Sequence, residues 1–152
     1  MLRTRGRMRL CTALLILNVA FIWGNSLLPG EMSAAISQWV RDLLAALLGG
    51  DNDPHTGHGL LRKLAHFTEF CCLGLCLMWL FSMLGRSPRL SFLSGFLVAC
   101  TDEFIQCFIP DRGPAVKDVL IDSAGILLGI VLLLTGYAIY KSKKTKFYLE
   151  EN

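Results

Sequence analysis

The chain has 152 residues, the size of one ordinary domain. Apolar residues make up 53% and charged residues only 18%, against about 25% charged in a soluble globular domain. The net charge of +3 sits at segment ends rather than on a basic face with aromatic or polar readers, which argues against a nucleic-acid partner, and the long apolar runs indicate an all-α, multi-pass membrane protein.

Residues 1–9 hold Arg3, Arg5, Arg7 and Arg9 and no acid. Residues 10–28 follow, apolar apart from Thr12, Asn18, Asn25 and Ser26. They are long enough for the roughly 20 residues that cross a hydrocarbon core. The basic flank also has the look of a signal peptide, with Gly24-Asn25-Ser26 at the cleavage position. The Pro29-Gly30 break reads more simply as the end of a retained helix.

Residues 31–48 differ in kind. Met32, Ile36, Trp39, Val40, Leu43, Leu44 and Leu47 follow the spacing of one helical face, with Ser37, Gln38, Arg41 and Asp42 elsewhere on the wheel. The spacing predicts an amphipathic helix in the extracytoplasmic membrane interface, ended by Gly49-Gly50. Packing over the bundle is the alternative, and the sequence leaves both open. Residues 51–59 (DNDPHTGHG) form a loop, in which Asp51, Asp53, His55 and His58 read as solvated side chains rather than metal ligands.

The second span covers residues 64–84, and GRSPR at 85–89 is a tight connection. The third covers 90–109, ends before Pro110 and carries Asp102, Glu103 and Gln106 near its end. A short turn at 111–117 leads to the fourth, 118–140, where Gly125 and Gly129 stand at the spacing of close helix contact. Residues 141–152 form a basic tail. Cys11, Cys71, Cys72, Cys76, Cys100 and Cys107 all lie in or beside apolar spans without a Cys-x-x-Cys pair. They read as small buried hydrophobes, not as a disulfide framework or thiolate zinc site.

With four spans, Arg3, Arg5, Arg7, Arg9, Arg86, Arg89, Lys141, Lys143, Lys144 and Lys146 share one side, against Arg41, Arg62, Lys63, Arg112 and Lys117 on the other. The positive-inside rule puts both termini in the cytoplasm. At about 1.5 Å rise per residue, His66, Gln106 and Asp122 then lie about 5 Å below the outer face, and Glu69, Asp102 and Glu103 about 9–10 Å below it. Asn25 and Ser26 reach the same face. Arg62, His66 and Glu69 share one side of their helix, as do Asp102 with Gln106 and Asp118 with Asp122. Ionisable groups inside a membrane are costly, so these should face each other rather than lipid.

The segments that carry this layer are RKLAHFTEF (62–70) with the following Leu73-Gly74, DEFIQCFIPDR (102–112) and KDVLIDSAGILLG (117–129). In this order and spacing they resemble the VanZ-like family of small bacterial membrane proteins, and Asn25-Ser26-Leu27 adds to the similarity. The resemblance implies a four-helix domain over residues 10–140 in the bacterial cell membrane. It places Lys63, His66, Glu69, Asp102, Glu103, Gln106, Arg112, Asp118 and Asp122 at the family's polar positions. The family's founding member is associated with resistance to the glycopeptide teicoplanin. This chain departs from the pattern in the long stretch at 31–59 and at Asp111, where members often have a small residue.

Three readings of the site follow. In the first, an outward cleft binds an envelope lipid, a lipid-linked cell-wall intermediate or an antimicrobial, with Arg62, Lys63 and Arg112 meeting phosphate or carboxylate groups. In the second, His66, Glu69, Asp102 and Glu103 perform acid–base chemistry on such a lipid, or hold a divalent cation with Asp122. No nucleophile elbow or HExxH motif is present, so binding stands ahead of catalysis, and no cofactor is expected. In the third, the polar network only holds the helices together. Transport fits least, since the inner halves of the second and fourth spans carry no ionisable group. The oligomeric state stays open.

Overall fold

The computed structural model describes residues 2–48 and 58–150. The expected Gly49-Gly50 stop, the loop residues Asp51, Asp53 and His55, and the side chain of His58 lie outside this description. The described residues are helical and contain no strand: α1 (Leu2–Ser26), α2 (Gly30–Leu48), α3 (His58–Met83), α4 (Pro88–Gln106) and α5 (Val116–Glu150). Three of them contain segments long and apolar enough to cross a membrane, Thr4–Ser26, Leu60–Met83 and Val116–Phe147. The fourth span expected from sequence corresponds to α4, where Arg89, Asp102 and Glu103 interrupt the apolar run.

Helix ends follow local chemistry. Gly85 takes φ 65 after α3, with Arg86 N–H donating to Phe81 O at 2.8 Å and Gly85 N–H to Ser82 O at 3.2 Å. That is the two-bond stop that a left-handed glycine permits. Pro88 opens α4 behind Ser87, where its missing N–H costs nothing. α4 ends at Gln106, three residues before the expected limit, and tight turns continue to Ile109. α1 and α5 are longer than expected. They absorb much of the basic N-terminus and of the polar tail, whose Lys-rich sequence lacks Gly and Pro beyond Gly136. α3 starts at His58, six residues before the expected span, and includes Arg62 and Lys63.

The core lies where α3 packs on α5 and is flanked by α1 and α4, around Ile22, Phe70, Leu73, Met78, Ala99 and Ile126. Backbone approach is what makes this contact close. A Cβ on Gly74 would overlap the Ile126 carbonyl, one on Gly125 the Phe67 carbonyl, and one on Gly129 the Cys71 carbonyl. All six cysteines are free, but only Cys11 is buried, while Cys72 and Cys107 are exposed on the outer helix surface. The expectation of buried cysteines therefore holds for one of them. An outward position on an apolar helix needs a small apolar side chain, not a buried one.

α2 packs against α3 through its polar side. Its apolar residues Met32, Ile36, Trp39, Leu43 and Leu47 are exposed, whereas Ser33 is buried and Ser37 half-buried. The helix is anchored at its start, where Gly30 N–H donates to Pro110 O at 3.1 Å and a Cβ on Gly30 would overlap the Asp111 carbonyl.

The glycine contact predicts a contrast within α5. Gly129→Ala should lower stability by about 1–3 kcal/mol, because helix backbones must separate to admit the methyl group. Gly136→Ala, with nothing within 4 Å of the new carbon, should be neutral or gain about 0.5–1 kcal/mol from helix propensity. Thermal unfolding of both variants in the same detergent checks this.

Candidate functional site

The polar residues collect at the end of the bundle where α3 begins and α4 ends. The one-face spacing of Arg62, His66 and Glu69 on α3 turns all three toward α1 and α4. Gln106 joins three helices. Its Nε2 donates to Asp102 Oδ2 at 3.1 Å and to Ser26 Oγ at 3.3 Å, while its Oε1 accepts from Arg62 Nη2 at 3.3 Å. Asp102 is fully buried, and His66 Nδ1 lies 3.9 Å from its Oδ2. That distance supports an electrostatic contact rather than a hydrogen bond.

Glu69 faces α1. Its Oε1 accepts from Asn25 Nδ2 at 3.1 Å, and its backbone carbonyl accepts from Asn18 Nδ2 at 3.4 Å. Arg112, from the turn between α4 and α5, reaches back to donate Nη2 to the Asn25 carbonyl at 2.9 Å. Burial pushes the Arg112 guanidinium down from its usual value and neighbouring Arg62 adds to this, while Asp102, Glu103 and Glu69 act the other way. An arginine nevertheless stays charged in a protein.

Several strongly polar atoms in this layer are buried without a hydrogen-bond partner: Glu69 Oε2, Asp102 Oδ1, both oxygens of Asp122, and Nε and Nη1 of Arg112. No arginine–carboxylate pair within 4.0 Å forms here among the described residues. A donor atom from each of His66, Asp102 and Asp122 lies within 4.8 Å of the others. The layer is thus only partly satisfied from within.

Two cavities open on it. The larger, about 450 Å³, lies between α2 and α3. Ile36, Val40, Leu61 and Leu64 form apolar walls, with Asn25, Ser33, Arg62, His66 and Glu69 as the polar lining. The smaller is polar and lies between α3, α4 and α5, lined by Arg62, Lys63, His66, Glu103, Asp118 and Asp122. His66 and Arg62 line both.

The ten residues expected from sequence therefore divide. Arg62, His66, Glu69, Asp102, Gln106, Arg112 and Asp122 gather in the layer. Glu103 accepts the Ala115 N–H with Oε2 at 2.8 Å and so pins the chain just before α5. Asp118 is half-buried and Lys63 exposed, both at the small cavity. Sequence reading left Asn18, Asn25 and Ser26 outside this set, although polar side chains inside an apolar span are themselves a signal of buried partners. It also missed Ser33, because α2 presents its polar side. Asp111 has φ 58, the left-handed region in which small and Asx residues are least strained; a small residue before the arginine suits that backbone.

The sequence model of the family described as VanZ/LLP1 matches residues 10–139. No curated protein and no solved structure matches the chain.

Substitutions at two positions probe the wall of the layer. Asn25→Ala should lower stability by about 1–3 kcal/mol, because it strands the Glu69 carboxylate in a buried position. Asp111→Val should cost about 1–2 kcal/mol and Asp111→Gly little or nothing, since only the branched residue resists the left-handed backbone. Unfolding midpoints in detergent distinguish the three variants.

Proposed function

The chain belongs to the VanZ/LLP1 family, and from that premise we propose that it is a multi-pass membrane protein whose α2–α3 cleft binds the head group of an envelope lipid, a lipid-linked cell-wall intermediate or an antimicrobial such as a glycopeptide. The observation that carries this reading is the lining of the cleft. One open cavity joins apolar walls to a cation, Arg62, and to hydrogen-bonding groups on Asn25, His66 and Glu69. An amphipathic ligand needs both surfaces at once. Arg62 spends only one of its five N–H groups on Gln106, so it retains donors for a phosphate or carboxylate.

The membrane arrangement belongs to the same proposal. α4 acts as the fourth span. It buries Ser91, Gly95, Asp102, Glu103 and Gln106 on one side and exposes Leu93, Leu97 and Phe104 on the other. A helix that hides polar residues and shows apolar ones is suited to lipid rather than water. α2 lies in the outer interface with its exposed Met32, Trp39, Leu43 and Leu47 toward the acyl chains. Both termini are cytoplasmic, on the charge asymmetry of the loops.

A second reading rests on His66, which lines the cleft and sits 3.9 Å from Asp102. A histidine backed by a carboxylate can move a proton to or from a bound lipid. Under this reading His66→Gln abolishes the cellular activity at normal protein level, whereas under the binding reading it weakens activity less than Arg62→Gln.

Lipid retention tests the main proposal. Purified protein should carry anionic phospholipid in preference to phosphatidylcholine in native mass spectrometry. Arg62→Gln should weaken that retention about tenfold, the loss expected for one charge-assisted hydrogen bond, and added salt should weaken it in the parent. Equal retention of both lipids by parent and variant would exclude the proposal. Growth of a deletion strain against envelope-acting antibiotics, glycopeptides included, reports whether the occupant is an antimicrobial.

A further inference from the structure

We propose that His66, Asp102 and Asp122 form a divalent-cation site between α3, α4 and α5, beside the cleft and independent of any lipid in it. The three residues come from three helices, and one donor atom of each lies within 4.8 Å of the others. Bonds of about 2.1 Å to a common ion place ligand atoms about 3–4 Å apart, close to the separation of at most 4.8 Å here.

Unpartnered atoms point to an ion independently of that distance. Asp122 is 1% exposed and neither of its oxygens has a hydrogen-bond partner. Asp102 is fully buried and its Oδ1 is likewise unpartnered, while Oδ2 accepts from Gln106. Two ionised carboxylates buried this close together repel each other unless a proton or a cation stands between them. Arg62 and Arg112 do not fill that place: Arg62 donates to Gln106 and Arg112 to the Asn25 carbonyl, and neither forms an ion pair with Asp102 or Asp122. A divalent cation would match the two negative charges.

The surroundings resemble those of a built metal site. The Gln106 hydrogen bond fixes the Asp102 carboxylate, and Gln106 is held in turn by Ser26 and Arg62. Outer partners of this kind orient metal ligands. One imidazole with two carboxylates suits Mn²⁺ or Zn²⁺ better than Ca²⁺, which takes oxygen ligands only. His66 lines both cavities and Asp122 only the smaller one, so the site lies beside the cleft rather than in it.

The test uses the purified full chain in detergent without added lipid, titrated with Mn²⁺ and followed by electron paramagnetic resonance. Competition with Zn²⁺ and Ca²⁺ accompanies it. One saturable Mn²⁺ site is expected, displaced by Zn²⁺ more readily than by Ca²⁺. Asp122→Asn and His66→Gln should each weaken it at least on the order of 100-fold, the upper limit of the 10–100-fold typical of losing an outer partner. Glu31→Gln, at an exposed carboxylate of α2 outside the layer, should leave it near the parent value. Should the variants fail to fold, pulsed resonance on the Mn²⁺-loaded parent decides, because coupling to an imidazole nitrogen is expected. Absence of saturable binding, absence of that coupling, or a signal that survives His66→Gln but disappears on replacing His55 and His58 would overturn the proposal. Lipid retention is measured separately, so loss of one result leaves the other intact.

Discussion

Everything at the polar end of this protein depends on how closely α3 lies against α5. Gly74 on one helix and Gly125 and Gly129 on the other let backbone meet backbone, so that carbonyls occupy the space where side chains would stand. Dispersion between two such surfaces is collectively large, and it does not need the hydrophobic effect that lipid fails to supply. The same contact fixes relative height. His66 precedes Phe67, whose carbonyl touches Gly125, and Asp122 lies one turn before Gly125. Glycine packing in the apolar half thus decides that an imidazole and a carboxylate share a level in the polar half.

Within that frame the polar layer divides into a satisfied part and an unsatisfied one. Gln106, Asn25 and the Glu103–Ala115 contact are bonded and tie α1, α3, α4 and the start of α5 together. Asp122, half of Asp102, half of Glu69 and two nitrogens of Arg112 are not. A purely structural network gains nothing from leaving such groups buried and unpaired, since each costs about 1–3 kcal/mol. Glu69 and Asp122 border the two cavities, whereas Asp102 and Arg112 line neither. The bonded half accounts for assembly, and the unbonded half carries the functional proposals.

α2 shows how tertiary packing can reverse the ordinary sense of an amphipathic pattern. Its periodic apolar face was legible in the sequence, and in a soluble protein that face would enter the core. Here the serines turn inward, because the surface they meet contains Asn25, Arg62 and Glu69, and the apolar residues turn out. α4 follows the same rule, with its acids and glutamine hidden and its leucines and phenylalanines exposed. In both helices the solvent, not the pattern, sets the direction.

The sequence by itself determined that the chain is helical, where α2 and α4 begin and end to within about three residues, where the apolar centres of the other three lie, and which polar residues share a helix face. It also carried the family, through the three polar segments. Those properties are local, or follow from a period of 3.6 residues, and can be read along one strand of text. Tertiary structure decided the rest. Periodicity says that Arg62, His66 and Glu69 point one way, but not that they meet Gln106, Asp102 and Asn25 respectively. It could not say which side of α2 covers the cleft, that Glu103 serves the turn before α5, or that Asp122 is left without a hydrogen bond. Partners depend on the rotation and separation of neighbouring helices, and here glycines set both.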